Sequence, residues 1–342
     1  MKFLKRFKSH ADYETFTATT EFLKPNVSTC KKEDDVHYSP YVDYSQDYFT
    51  FVALENGTFT FSGNAINYSV DDGNTWTTLA ANTASPTVTT GKKIMWKQSG
   101  LIPSSSSGIG TFIATGNFDV QGNAMSLLYG DGFKNQTSLS GKNYAFKSLF
   151  SGNTKVVSAE NLVLPATTLA SNCYSNMFGG CTSLTKAPQL PATMLASSCY
   201  QEMFYGCTNL TTAPELPATT LASYCYYYMF RDCTSLATAP ELPATTLASS
   251  CYGAMFSGCK SLTSAPALLA TTLASTCYNS MFNGCTSLNY IKAMFTTTPS
   301  TIYTYNWVYG VASSGTFVKN SAATWNVTGN DGIPTNWTIQ TA

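Results

Sequence analysis

Cys173-Tyr174-Ser175-Asn176-Met177-Phe178-Gly179-Gly180-Cys181-Thr182-Ser183-Leu184, continuing into Ala187-Pro188-Gln189-Leu190-Pro191-Ala192-Thr193, is the first of five copies of one pattern. Its first cysteine returns as Cys199, Cys225, Cys251 and Cys277, and its second as Cys207, Cys233, Cys259 and Cys285, always 26 residues on. Met177 and Phe178 recur in the same register. A fixed period in this range predicts a solenoid, whose units bury their apolar faces only by stacking on neighbours. Within a unit the apolar residues fall at i, i+1, i+4, i+5 and i+8, which predicts a stripe along a helix of two to three turns. Glycine before Cys181, Cys207, Cys259 and Cys285 suits the end of such a helix, and Asp232 replaces it in the third copy. Pro188, Pro214, Pro240 and Pro266 each remove a ladder donor, so the following segment predicts only a short strand. The expectation is a curved stack, helices on one face and strands on the other, rising about 5 Å per repeat.

Charge divides the rest of the chain. Of 342 residues, 19 are Lys or Arg and 19 Asp or Glu; 15 of these 38 charges lie in residues 1–47. That segment reads as an arm with one short helix near His10–Phe22, carrying Tyr13, Phe16 and Phe22, which folds on a partner or stays partly ordered. From 48 to 141, short alternating runs such as Tyr48-Phe49-Thr50-Phe51-Val52 and Lys93-Ile94-Met95-Trp96 alternate with Asn-Gly and Asp-Gly turns, predicting a small antiparallel β-sandwich. After Leu288 the repeat lapses, and Trp307, Trp325 and Trp337 suit a cap over the last unit. The predicted fold class is α+β, divided into an N-terminal arm (1–47), a β-sandwich (48–141), a solenoid (142–292) and a small β C-terminal cap (293–342).

Ser69-Val70-Asp71-Asp72-Gly73-Asn74-Thr75-Trp76 resembles the Asp-box of sialidases, a hairpin lying away from their catalytic centre. One copy implies structure, not glycosidase activity: Asp71 accepts turn amides, Gly73 supplies positive φ and Trp76 staples the turn. The repeats, over about 143–292, resemble the BspA-like leucine-rich repeats on Met177-Phe178-Gly179-Gly180-Cys181-Thr182-Ser183-Leu184-Thr185 and their equivalents. They depart from that pattern in having Ala-Pro where the family more often has Ile. This resemblance implies a non-enzymatic recognition surface. Trp307-Val308-Tyr309-Gly310-Val311, Gly332-Ile333-Pro334 and Trp337-Thr338 resemble the closing unit of such proteins from gut Bacteroidales and their phages. His10-Ala11-Asp12-Tyr13-Glu14-Thr15-Phe16, Lys24-Pro25-Asn26-Val27-Ser28 and Val36-His37-Tyr38-Ser39-Pro40 look like a module shared by phage virion proteins. That likeness implies an arm docking on other virion proteins through Tyr13, Phe16, Phe22, His37 and Tyr38.

Ten of the eleven cysteines lie in the repeats, which opens disulfides or metal as readings. Eight residues along a helix is too far for a bridge within one unit. A degenerate earlier copy, Phe146 to Asn153, sets Asn153 in the slot of Cys181 and Ala145 in that of Cys173. In leucine-rich repeat ladders Asn and Cys interchange because either bonds loop backbone. The resemblance therefore favours a structural ladder of Asn153, Cys181, Cys207, Cys233, Cys259 and Cys285 with reduced thiols. Cys30 receives no role.

Catalytic signals are few. There is no H-E-x-x-H, G-x-S-x-G or P-loop, and Gly108-Ile109-Gly110 lacks a third glycine in range. Glu215 and Glu241, one repeat apart, match a retaining carboxylate spacing but read more simply as a solvated pair. No enzyme, cofactor or metal is expected. Zero net charge argues against nucleic acid, and no apolar run reaches the ~20 residues of a membrane span. The basic start lacks an apolar signal core, which argues against export. Binding is the better reading. The third repeat carries Tyr224, Tyr227 and Tyr228, with Tyr205 and Arg231 at the equivalent position of neighbouring repeats, a set suited to stacking on carbohydrate. Alternatively these tyrosines pack on one another or on another subunit. The function expected is a phage tail or head fibre protein, located in the virion, that recognises host surface glycan or protein. A BspA-like adhesin on a bacterial surface and a purely structural capsid or tail decoration protein are the alternatives. A homotrimer and a lone chain both stay open.

Overall fold

Five aromatic residues from separate strands meet in one core. Phe51 of β1 (Phe49–Ala53) has ring centroids of Phe59, Phe112 and Phe118 within 4.7–5.0 Å and that of Trp96 at 5.6 Å. Phe59 lies on β2 (Phe59–Phe61), Trp96 on β5 (Lys93–Gln98), Phe112 on β6 (Phe112–Ala114) and Phe118 on β7 (Phe118–Asn123). Burying rings of this size is the main gain that holds such a core. The computed structural model describes residues 43–98 and 108–342. Within them the chain is mostly β, with several sheets, no closed barrel, two single-turn helices (Ser126–Tyr129 and Thr301–Thr304) and one 3₁₀ turn (Gly130–Phe133). The expected helix near His10–Phe22 and the arm residues Tyr13, Phe16, Phe22, His37 and Tyr38 lie outside the described residues, as does Cys30.

The larger sheet has six strands in the order β4-β3-β5-β1-β7-β8, with β3 at Ile66–Ser69, β4 at Thr77–Leu79 and β8 at Val156–Val163. Its pairings are antiparallel except the last: β8 runs parallel to β7. The pair β2–β6 forms a second, two-stranded sheet. Within 48–141 the strand pairings are antiparallel, as expected; the correction is that the sheet takes in a parallel strand from beyond that segment. A parallel strand needs a long crossover, here residues 124–155, so β8 is distant in sequence from the sheet it completes.

The Cys-Tyr-x-x-Met-Phe-x-x-Cys stretches are not helices, a second correction. Each is a row of β-turns with a left-handed residue at every fourth place: Asn172, Asn176 and Gly180 in one, and Tyr224, Tyr228 and Asp232 in another. Alternate amides do different work. The N–H groups of Cys173, Ser175, Met177, Gly179 and Cys181 close turns onto carbonyls three residues back. Those of Asn172, Tyr174, Asn176, Phe178 and Gly180 donate to Ser197, Cys199, Gln201, Met203 and Tyr205 in the next row. The carbonyls of Cys173, Ser175, Met177 and Gly179 accept in turn from Phe146, Ser148, Phe150 and Gly152 in the row before. The backbone is thus satisfied without a helix. The apolar pairs at i, i+1, i+4, i+5 match a four-residue turn as well as a 3.6-residue helix over so short a span. Among the described residues, the proline-bearing segments contribute isolated bridges, such as Lys186 with Thr212 and Thr212 with Thr238, rather than continuous strands.

Side chains stack along these rungs. Tyr174, Tyr200, Tyr226, Tyr252 and Tyr278 are buried and nearly parallel at 5.7–6.1 Å. Phe150, Phe178, Phe204, Phe230, Phe256 and Phe282 do the same at 5.3–5.9 Å. At one end Phe150 meets Phe49 and Phe112 of the sheets, both at 6.0 Å. At the other, Trp307 closes on Tyr278 and Phe282, both at 6.2 Å. The bonding continues one row beyond Leu288, where the sequence pattern fades: Met281's register position passes to Trp307, whose carbonyl accepts from Phe282, and Tyr309's accepts from Gly284. A parallel sheet of β9 (Tyr290–Ala293), β10 (Thr316–Lys319) and β11 (Thr338–Thr341) ends the chain.

Candidate functional site

Turn rows expose the residues that follow each buried pair, and what stands there varies. In the third repeat it is aromatic. Tyr224 is 43% and Tyr205 39% exposed, while Tyr227, Tyr228 and Arg231 are half-buried. The structure brings all five together. The Tyr224 and Tyr227 rings meet edge-on at 5.4 Å, and those of Tyr227 and Tyr228 lie 4.0 Å apart. The Arg231 guanidinium sits 4.8 Å over the Tyr228 ring and 5.8 Å from that of Tyr205, a cation–π clamp between two rows. Its Nε is 3.5 Å from Asp232 Oδ2. Burial, then a hydrogen bond with Tyr228, raises the Tyr227 phenol above its ordinary value, so it stays protonated and able to donate.

The row imposes left-handed backbone on Tyr224 (φ 60°) and Tyr228 (φ 59°), where the other full repeats carry Asn, Ser, Thr, Glu or Ala. Tyrosine tolerates this less well than Asn. The Tyr227 ring lies flat on the next row at Gly253, where any Cβ would come within 2.7 Å of it. Asp232 holds the left-handed place that glycine takes in other rows, at φ 59°, and its carboxylate occupies space above Gly258. The cluster is thus a largely aromatic platform with one cation and several phenol hydroxyls. It can stack on a ring or an apolar sugar face and bond neutral hydroxyls. It holds no nucleophile–base pair.

The expected ladder residues are inside. Cys181, Cys207, Cys233, Cys259 and Cys285 donate to the carbonyls of Phe150, Phe178, Phe204, Phe230 and Phe256 at 3.0–3.1 Å. Each of those carbonyls also closes a turn in its own row. Asn153 begins the series, its Nδ2 donating to the Phe112 carbonyl at 2.9 Å and its Oδ1 accepting from Lys155 N–H at 3.0 Å. The ten cysteines of the described residues are free thiols. Burial pushes Cys173, Cys181 and Cys285 up to about 12 and Cys207, Cys233 and Cys259 well above the ordinary thiol value. The helix on which the distance argument against bridging rested is absent; what the stacked rows provide instead is a backbone acceptor for the second thiol of each row.

In the Asp-box hairpin Asp71 accepts from Ser69 Oγ (2.7 Å), Thr75 N–H (2.9 Å) and Thr75 Oγ1 (2.6 Å). Ser69, first among them, lowers its carboxyl to about 2. Gly73 takes φ 86°, and the Trp76 ring is gripped between Tyr48 at 4.8 Å and the Lys97 ammonium at 4.2 Å. Glu215 and Glu241 are both exposed to solvent. Among the described residues no group of three His, Cys, Asp or Glu could hold a metal, and no helix is long and apolar enough to cross a membrane.

The sequence reading missed Tyr305 and Tyr309, 48% and 55% exposed on the row beyond Leu288. Counting three repeats on from Tyr227 and from Arg231 would have found them. Against protein families, curated proteins and solved structures the chain finds no match.

Proposed function

We propose that this chain is a non-enzymatic adhesion protein of a virion, of the tail or head fibre type. On this reading residues 1–47 dock onto other virion proteins, and residues 142–292 form a leucine-rich-repeat solenoid of the BspA-like kind. Tyr205, Tyr224, Tyr227, Tyr228 and Arg231 contact host surface glycan. The observation that carries the reading is the tyrosine cluster, set on a hydrogen-bonded row where the positions equivalent to Tyr224, Tyr227 and Tyr228 in the other four full repeats carry no aromatic residue. Aromatic groups held rigid at a surface lose little entropy on binding and dominate recognition energetics.

The test combines location with loss of function. Mass spectrometry of purified particles should find the chain, and particles carrying Tyr227→Ala with Tyr228→Ala should adsorb to host cells at least about tenfold less, the equivalent of about 1.4 kcal/mol. Unchanged adsorption, or purified particles without the chain, would overturn the reading.

A further inference from the structure

The rungs connect the tyrosine cluster to a second aromatic station. Glu202 donates to the Tyr227 carbonyl, Tyr228 to Gly253, Ala254 to Asn279 and Ser280 to Tyr305. Parallel to this column, Gly206 donates to Arg231, Asp232 to Ser257, Gly258 to Asn283 and Gly284 to Tyr309. Each column therefore begins at the cluster, crosses two rows of small or amide residues, and ends on an exposed tyrosine. Backbones bonded side by side lie about 5 Å apart, so three rungs place the stations about 15 Å from each other.

From these columns we infer that the two stations bind one neutral, linear polysaccharide, seated with a sugar face on each. This rests on the adhesion reading and extends its site by three rows. The surface between the stations is built of neutral groups, with only the Asp232 carboxylate reaching over it above Gly258: Gly253 lies under the Tyr227 ring, and Ser257, Asn279 and Asn283 are partly exposed hydroxyl and amide groups. The charges beside it, Arg231 and Asp232, face each other. An acidic polymer would find no line of cations there, and a protein partner would meet two separate aromatic patches divided by polar side chains instead of one apolar core. A sugar chain needs the opposite: rings for its CH faces, spaced by neutral donors and acceptors for its hydroxyls. The step between rows is close to the length of one sugar unit, so a chain of about four units reaches both stations.

The experiment measures affinity of the full chain for neutral linear oligosaccharides, from disaccharide to hexasaccharide. Wild type is compared with Tyr305→Ala/Tyr309→Ala and Tyr227→Ala/Tyr228→Ala, with thermal midpoints checking the fold. Wild-type affinity should rise at least about tenfold once the chain spans both stations, since the second contact is then intramolecular. Tyr305→Ala/Tyr309→Ala should remove that gain, and Tyr227→Ala/Tyr228→Ala should weaken every length. Affinity independent of length, or a full gain retained in Tyr305→Ala/Tyr309→Ala, would overturn the inference. So would self-association in sedimentation that this variant abolishes, since the stations would then seat a second copy. If no saccharide binds but Tyr227→Ala/Tyr228→Ala particles still fail to adsorb, the polysaccharide inference falls and the adhesion reading stands. If adsorption is also unchanged, both fall.

Discussion

Asp71 shows what one side chain fixes. It is only partly buried, yet three hydrogen bonds to its carboxylate define the turn between β3 and β4 and hold its carboxyl at about 2 instead of the ordinary 3.8. A depressed carboxyl contributes stability in full above the unfolded value, and that contribution disappears as pH falls through the folded one. Urea midpoints of the wild type should therefore drop between about pH 4 and 2 more steeply than those of Asp71→Asn. Identical profiles would show that the hairpin does not depend on the charge. The Asp-box resemblance carried this hairpin correctly because all its parts are local. The buried thiols are the contrasting case: which carbonyl each one bonds depends on the preceding row and could not be read from within the repeat.

At the scale of the turn row, the register of buried positions was legible and the backbone was not. The identical Cys, Tyr, Met and Phe slots named the inward residues, and all five tyrosines of the Tyr174 set are buried. Helix was the wrong inference because nine residues with apolar pairs four apart satisfy both a helix and a chain of turns. The distinguishing feature is left-handed backbone at every fourth residue. Glycine marks only the last of these places, and Asn, Ser, Thr, Glu, Tyr and Ala hold the others without announcing it. Asp232 tests the account. A non-glycine residue pays roughly 1 kcal/mol to sit there, so Asp232→Gly should stabilise the fold by about 0.5–1 kcal/mol in chemical denaturation, its partly exposed contact with Arg231 being worth little. Destabilisation would mean that the carboxylate above Gly258 contributes more than the backbone loses. The candidate tyrosines were legible as departures from the repeat. Tyr305 and Tyr309 were missed because Trp307 and Val308 replace Met and Phe in their row.

Across the whole molecule, a phenylalanine column runs from the sheet core at Phe49 and Phe112, and a tyrosine column from Phe146, both to Trp307. Trp307 is fully buried, and its indole N–H donates to the Gly332 carbonyl at 2.9 Å. Trp307→Ala should cost about 3–5 kcal/mol. Where rows rest only on their neighbours, the loss should spread from that end. Hydrogen exchange should accelerate first in residues 276–285 and in β9–β10, before β1 and β5; equal acceleration everywhere would show one indivisible core. The rungs also have a mechanical consequence. They point along the stack, so tension between its two ends loads them in series, one row after another. Each row that peels away frees 26 residues, about 90 Å of chain, while the rows behind it hold. A stack pulled this way gives under a tug in steps, like a seam opening stitch by stitch.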